Sequence, residues 1–130
     1  MGDTTNSTDG QSSGIKTYPF NRQEAQAVLG SERLLRKVAA LFLENAPNLF
    51  AEMKAAIETS DSDKLQRSAH TLVSSLAYLS AKSATNAALS LEDIGRSNEL
   101  ENAESAYHNL NTESERLRAA LRVYLDTEEG

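Results

Sequence analysis

The chain has 130 residues, of which 39% are hydrophobic and 25% are charged, and these proportions suit one globular domain of ordinary size. Its formal net charge of −6 argues against nucleic acid and anionic membranes as partners, because both need clustered Lys and Arg. The absence of cysteine excludes disulfides and thiolate metal sites. The sequence has no apolar run for membrane insertion and no signal-peptide pattern, so we expect a cytoplasmic protein.

The two ends of the chain differ in composition from its middle. Residues 1–18 are rich in Gly, Ser, Thr, Asn and Asp, which predicts a flexible leader or linker. Residues 127–130 are predicted to form a disordered tail. We therefore expect the folded domain over residues 19–126, and the leader leaves open whether the chain is a fragment of a larger kinase.

Capping signals mark the first helices. Asn21 and Glu24 have the spacing of a capping box, and Gly30 can end the short helix that they begin. Ser31 can cap the next helix. Within that helix, Pro47 predicts either a kink or a new helix start.

Four longer helices are predicted from apolar residues that recur at spacings of three, four and seven. Residues 60–63 supply caps for the second helix, the third begins near Lys82 with Gly95 near its end, and the fourth begins near Glu101. Each of the four helices has one apolar stripe. In the first helix it is Leu35, Val38, Phe42, Leu49 and Met53, and in the second it is Leu65, Ala69, Leu72, Leu76 and Leu79. In the third it is Ala84, Ala87, Leu91 and Ile94, and in the fourth it is Ala103, Tyr107, Leu110, Leu117, Leu121 and Tyr124, interrupted by Ser114. No segment alternates like a strand, so we predict an all-α, antiparallel up-down-up-down four-helix bundle preceded by a short helix.

His70 lies on the second long helix but away from its apolar stripe. It points about 140° from the stripe, so it faces solvent or the edge of a neighbouring helix. The residues that share its surface are Gln66, Arg67, Val73, Ser74 and Ala77. No Asp or Glu lies within reach along the helix, so neither a carboxylate-oriented base nor a metal site is indicated. A lone exposed histidine is most often an ordinary surface residue, but a neutral imidazole can also accept a phosphoryl group.

Residues 69–81, with the sequence AHTLVSSLAYLSA, favour the interpretation of His70 as a phosphoryl acceptor over that of an ordinary surface residue. This segment resembles the signature of histidine phosphotransfer (HPt) domains of bacterial phosphorelays, in which Ala-His-x-Leu is followed by Lys-Gly and small residues. The resemblance continues upstream through residues 41–49 and 55–65, and downstream through residues 87–92. It covers about residues 20–122, and it rests on the order and spacing of these segments together.

The resemblance implies a four-helix bundle that carries a phosphoryl group without catalysis of its own. His70 would be the phospho-acceptor, taking the group from the aspartyl phosphate of one response-regulator receiver domain and passing it to another in two-component signalling. The receiver would supply Mg²⁺, and this chain would bind no cofactor. A hybrid sensor kinase is a further candidate partner, and a monomer is expected. The docking or phosphate-proximal residues would be Gln66, Arg67, Val73, Ser74 and Ala77, with a contribution from Phe50 or Lys54 on the preceding helix.

The chain departs from the HPt signature at two positions. The usual Lys, one turn after the histidine, is Val73, which cannot neutralise a phosphoryl group. The usual Gly is Ser74, whose side chain narrows the approach but offers a hydroxyl as a hydrogen-bond donor. Arg67, one turn before His70, is a candidate substitute for the missing positive charge, and an exposed Val73 offers an apolar contact for a partner or a second copy.

Three other interpretations remain open at this point. The first is an HPt-like docking or scaffold protein that transfers phosphoryl groups poorly, and the second is an unrelated helical interaction bundle. The third, an independent enzyme, is weakly supported because there is no Gly-rich phosphate loop. His108 is interpreted as a solvated surface residue, and residues 92–93 and 128–129 as a solvated acidic face and a tail.

Overall fold

A computed structural model describes residues 19–127 as five α-helices and one short 3₁₀ turn. The helices are α1 (Arg22–Leu29), α2 (Glu32–Glu58), α3 (Ser62–Tyr78), α4 (Lys82–Ser97) and α5 (Ala103–Thr127), and the turn spans Leu100–Asn102. Residues 19–127 contain no strand, so the predicted all-α class is confirmed. The leader predicted at 1–18 lies outside the described residues. Of the tail predicted at 127–130, Thr127 is the last residue of α5 and residues 128–130 lie outside the described residues.

The predicted caps begin the helices as expected. The side chains of Asn21, Ser31 and Asp61 each accept the backbone N–H three residues further on, at 2.9, 3.1 and 3.1 Å. The capping box of α1 is only half formed, because the N–H of Asn21 donates to the Ser80 carbonyl at 3.3 Å rather than to Glu24. That bond ties the start of α1 to the turn between α3 and α4.

The ends of two helices require left-handed backbone. Gly30 closes α1 with φ 96°, as predicted, and Asn98 closes α4 with φ 58°. Gly95 lies in the last turn of α4, which ends at Ser97, and so near the helix end as predicted. Helix α2 runs without interruption through Pro47, so the alternative of a new helix start at that residue is wrong.

The four long helices pack around one apolar core. Each packs on the next in the chain, α5 packs on α2, and α1 packs on α2 and α3. Only three residues separate α2 from α3 and α3 from α4, and such short connections require antiparallel neighbours. No helix within residues 19–127 is both long and apolar enough to span a bilayer.

Most of the predicted core residues are buried. The fully buried large side chains include Leu35, Met53, Leu65, Leu72, Leu76, Leu79, Leu91, Leu110, Leu117 and Leu121. Val38, Leu49, Ile94 and Tyr107 are only partly buried and pack against this core. Phe50, predicted as a docking residue, is instead 5% exposed and belongs to the core, since it follows Phe42 and Ala46 on the buried face of α2. Lys54 is exposed.

Candidate functional site

His70 stands at the outer surface of α3, as its angle to the apolar stripe predicts. Its side chain is 67% exposed, whereas Ala69 and Leu72 beside it are completely buried. The alternation follows from helical geometry, because adjacent residues point about 100° apart. The backbone of His70 is therefore held rigidly by the core while its ring remains open to a partner.

The imidazole has an acidic partner that sequence reasoning missed. Nδ1 of His70 lies 2.9 Å from Oε2 of Glu92, whose side chain is only 7% exposed. The interpretation of residues 92–93 as a solvated face is therefore wrong for Glu92, whereas Asp93 is 71% exposed. The sequence contains a pattern that predicts the burial of Glu92, since Ala88, Leu91, Glu92 and Gly95 follow the spacing of three, four and seven residues of a buried helical face.

Arg96 extends this interaction along α4. Its Nη2 lies 3.0 Å from the same Glu92 oxygen that His70 contacts, and its Nη1 donates to Asp93. The Arg96 side chain is 55% exposed. The two bonds to one buried oxygen satisfy the carboxylate and hold an imidazole and a guanidinium next to each other.

Gly95 makes this arrangement possible by letting α3 and α4 approach closely. A Cβ atom at this position would lie 2.7 Å from the backbone N of Gln66 and 3.0 Å from the carbonyl O of Ser62. Both atoms belong to helix backbone and cannot move aside as a flexible side chain does. The helices would therefore separate at the level where Glu92 and Arg96 meet His70.

The acceptor character of the carboxylate determines the tautomer of the ring. An ionised carboxylate only accepts hydrogen bonds, so Nδ1 of His70 carries the proton and donates to Glu92. The remaining ring nitrogen, Nε2, then keeps its lone pair. The contact orients the ring and leaves a nucleophilic nitrogen on an exposed side chain.

The residues predicted around His70 are divided between two surfaces. Gln66 and Arg67 join His70 in an open groove, here called the α3/α4 groove, whose lining is completed by Thr71, Glu92 and Arg96. Val73, Ser74 and Ala77 do not line it. Val73 is partly buried against the core, which weakens the expectation of an exposed apolar patch there, while Ser74 and Ala77 are exposed.

The other candidate groups do not extend the site. His108 is exposed on α5, as predicted. Residues 19–127 contain no cluster of three or more His, Cys, Asp or Glu that could hold a metal ion. Among these same residues, the Ser74 hydroxyl has no hydrogen-bond partner, so it does not contact the imidazole.

Fold and site together define a helical bundle that presents one oriented, exposed histidine. The family model described as "Hpt domain" matches residues 37–120, which is more than half of the chain, and the chain therefore belongs to the Hpt domain family. Membership makes it a histidine phosphotransfer module of two-component signalling and excludes the unrelated-bundle interpretation. Proteins of this family are phosphoryl carriers that interact with receiver domains of response regulators.

A solved structure agrees with this assignment. The fold is similar to that of histidine-containing phosphotransfer protein B (HptB) from Pseudomonas aeruginosa PAO1, with a TM-score of 0.78. The two sequences are 15% identical, and the match covers 85% of this chain and 97% of that chain. No curated protein matches the sequence.

Proposed function

We propose that Nε2 of His70 accepts the phosphoryl group and that this chain relays it between receiver domains. The observation that carries the proposal is the 2.9 Å contact from Nδ1 to the buried Glu92, which leaves Nε2 as the unprotonated nitrogen of an exposed ring. No other histidine within residues 19–127 combines exposure with a carboxylate partner.

The imidazole ring of His70 keeps its Nδ1 proton throughout the phosphoryl transfer. The Nε2 lone pair attacks phosphorus, the bond from phosphorus to the receiver's aspartyl oxygen breaks, and that aspartate departs as a carboxylate. The imidazole, now bonded at Nε2 and still protonated at Nδ1, carries a positive charge that Glu92 stabilises at 2.9 Å. When a second receiver attacks, the nitrogen–phosphorus bond breaks and the ring returns to its neutral state.

The chain's own contribution is positioning rather than acid–base catalysis. Within residues 19–127, no side chain besides Glu92 makes a hydrogen bond to the imidazole. We propose that Mg²⁺ and the acidic pocket belong to the receiver, as phosphoryl transfer depends mainly on alignment and charge neutralisation. This chain then needs no cofactor of its own.

Labelling with a small phosphoramidate donor tests the acceptor. We expect the purified chain to gain one acid-labile phosphoryl group by intact mass, and we expect His70→Gln to gain none. His108→Gln is the matched control, since it removes the other histidine from an equally helical surface, and it should label normally. Labelling that persists in His70→Gln but disappears in His108→Gln would overturn the assignment.

The role of Glu92 is tested with the same donor. Glu92→Gln keeps an oxygen that can accept from Nδ1, whereas Glu92→Ala removes it, so we expect labelling to slow more in the alanine variant. Nitrogen NMR of the ring should show the Nδ1-protonated form in the native chain and a mixture in Glu92→Ala. Equal labelling rates in all three proteins would show that the carboxylate does not prepare the ring.

Receiver docking is proposed to use the surface around the α3/α4 groove. Arg67 is exposed there and has no ion-pair partner among residues 19–127, so it is available to an acidic receiver pocket. We expect Arg67→Glu to weaken binding to a receiver several-fold at low salt, and Arg122→Glu on α5 to have little effect. Equal losses in a binding titration would place the interface elsewhere.

The alternative of a docking or scaffold protein is an outcome of the same labelling experiment. Val73 and Ser74 in place of the family's Lys-Gly favour it, since they remove a positive charge and add a side chain beside the histidine. If the native chain binds a receiver but neither the donor nor the phosphorylated receiver labels it, the scaffold interpretation replaces the relay.

A further inference from the structure

The α3/α4 groove contains a positive charge that the family signature does not place there. The signature Lys one turn after the histidine is Val73 in this chain, and Val73 is partly buried against the core. Arg96 approaches from the other helix instead, since its Nη2 shares the Glu92 oxygen that His70 contacts. The guanidinium therefore lies within two hydrogen-bond lengths of the imidazole.

Glu92 makes a second cation beside the phosphoryl group favourable. A phosphoryl group on Nε2 brings negative charge to a ring whose other nitrogen already contacts a buried carboxylate. The two anions repel each other, and the low exposure of Glu92 weakens solvent screening of that repulsion. The imidazolium ring between them carries only one positive charge, so a second cation beside the phosphoryl group stabilises the phosphorylated state further.

We infer that Arg96 binds the phosphoryl group on His70 and replaces the missing lysine, so that the positive charge has moved from α3 to α4. The inference rests on the proposed role of His70. Arg96 can serve both groups at once, because a guanidinium carries five N–H donors in a rigid fork. Nη2 stays on Glu92 at 3.0 Å while Nη1 leaves the exposed Asp93 for a phosphoryl oxygen.

The other cation of the groove is less suited to this role. Arg67 is also exposed and lines the groove, but no ion pair within residues 19–127 fixes its guanidinium. It would lose side-chain freedom on binding the phosphoryl group, whereas Arg96 is already held by two carboxylates. We therefore assign Arg67 to receiver docking and Arg96 to the phosphoryl group.

A charge-relocation experiment tests the role of Arg96. Arg96→Gln is compared with Arg122→Gln and with the double variant Val73→Lys/Arg96→Gln, using phosphoramidate labelling and the lifetime of the phosphorylated protein. We expect Arg96→Gln to label about tenfold more slowly, the change expected from one charged hydrogen bond in the transition state. Arg122→Gln should label at the native rate, because Arg122 is exposed on α5 and does not line the groove, and the lysine at position 73 should restore most of the lost rate.

The rescue separates phosphoryl binding from a structural role of Arg96. A lysine at position 73 supplies charge one turn from His70 but does not replace the Arg96 bond to Glu92, so rescue supports the inference. Failure of rescue, together with an altered ring tautomer in Arg96→Gln by nitrogen NMR, would show that Arg96 only holds Glu92 and would overturn it. Native labelling by Arg96→Gln would overturn it as well.

The same experiments distinguish failure of the proposed acceptor role of His70 from failure of the inference about Arg96. If neither the native chain nor any variant forms an acid-labile adduct, the acceptor role of His70 fails and the inference fails with it. If the native chain labels and His70→Gln does not, the acceptor role stands whatever Arg96 does. Phosphorus NMR adds a readout independent of rate, since loss of a bound guanidinium should raise the pH at which the phosphoryl group releases its last proton.

Discussion

The two sides of this bundle bury polar and aromatic groups for different purposes. Between α3 and α4, the buried carboxylate of Glu92 is bonded to His70 and Arg96 and so connects the interior to an exposed ring. Between α2 and α5, the rings of Phe50 and Tyr107 meet edge to face at 5.9 Å, and the Tyr107 hydroxyl donates to the Phe50 carbonyl at 3.4 Å.

The α3/α4 contact positions the His70 ring, whereas the α2/α5 contact stabilises the fold. The α3/α4 contact brings a glycine, a buried carboxylate, an imidazole and a guanidinium together, and these groups fix the geometry of the ring. The α2/α5 contact buries large aromatic surface, and Arg118 lies 5.6 Å above the Phe50 ring. Changes on the α2/α5 side should therefore alter stability alone, and changes on the α3/α4 side should alter labelling.

The largest expected effect is on stability, from Phe50→Ala. Removing a buried aromatic ring costs about 3–5 kcal/mol, because apolar contact is lost and a cavity remains. Urea denaturation should show this loss, while labelling at His70 per folded molecule should stay at the native rate. A labelling defect in the folded fraction would mean that the two sides are coupled.

Gly95→Ala should affect both properties. The added Cβ meets the Gln66 backbone N at 2.7 Å, and overpacking of this kind costs about 1–3 kcal/mol. The separation of α3 and α4 should also break the contact of His70 with Glu92, so labelling should slow in the folded protein. The control is Gly30→Ala, where no atom lies within 4 Å and only the left-handed backbone is strained. Loss of stability with normal labelling would show that the close approach serves packing alone.

Replacing two buried serines should have smaller effects on stability, and the two effects should be opposite in sign. The Ser114 hydroxyl on α5 is fully buried and has no partner among residues 19–127, so Ser114→Ala should stabilise the protein by about 1 kcal/mol. Ser68 on α3 donates to Glu52 at 3.0 Å, so Ser68→Ala should destabilise it by about as much. Destabilisation by both substitutions in urea titrations would mean that the Ser114 hydroxyl is bonded in solution.

The smallest effect is expected at alkaline pH. Burial raises the pKa of Tyr107; the positive charge of Arg118 opposes this shift and the negative charge of Glu58 adds to it. Burial also raises the pKa of Tyr124. There the negative charge of Glu32 adds to the shift, and the positive charges of Arg22 and Arg36 oppose it. Because the unfolded chain then loses these protons first, their contribution to stability is complete below pH about 10 and declines above it.

Replacing both tyrosines with phenylalanine should flatten that alkaline decline, which is measured as the urea midpoint between neutral and alkaline pH. Tyr78→Phe is the control, since Tyr78 is 53% exposed. An unchanged slope in the double variant, or the same flattening in Tyr78→Phe, would show that buried tyrosines on the α2/α5 side do not cause the decline.

Local patterns were sufficient to predict most of the architecture. The capping residues Asn21, Ser31 and Asp61 and the apolar stripes are features of short segments, since a helix repeats every 3.6 residues. The same periodicity placed His70 outside the core. At Pro47 the local pattern left two outcomes open, and the uninterrupted helix α2 excludes the new helix start.

The chemistry beside His70 was decided by tertiary structure. Glu92 and Arg96 are more than twenty residues away along the chain, and their approach depends on the rotation of α4 and on the missing side chain at Gly95. A wheel of α3 contains none of these residues, so it showed a histidine without a carboxylate. Sequence alone determined which helix carries the histidine and which way it points, because both are properties of one helix. Only the packed bundle decided which nitrogen is held and which charge lies beside it, because those depend on the distance between two helices.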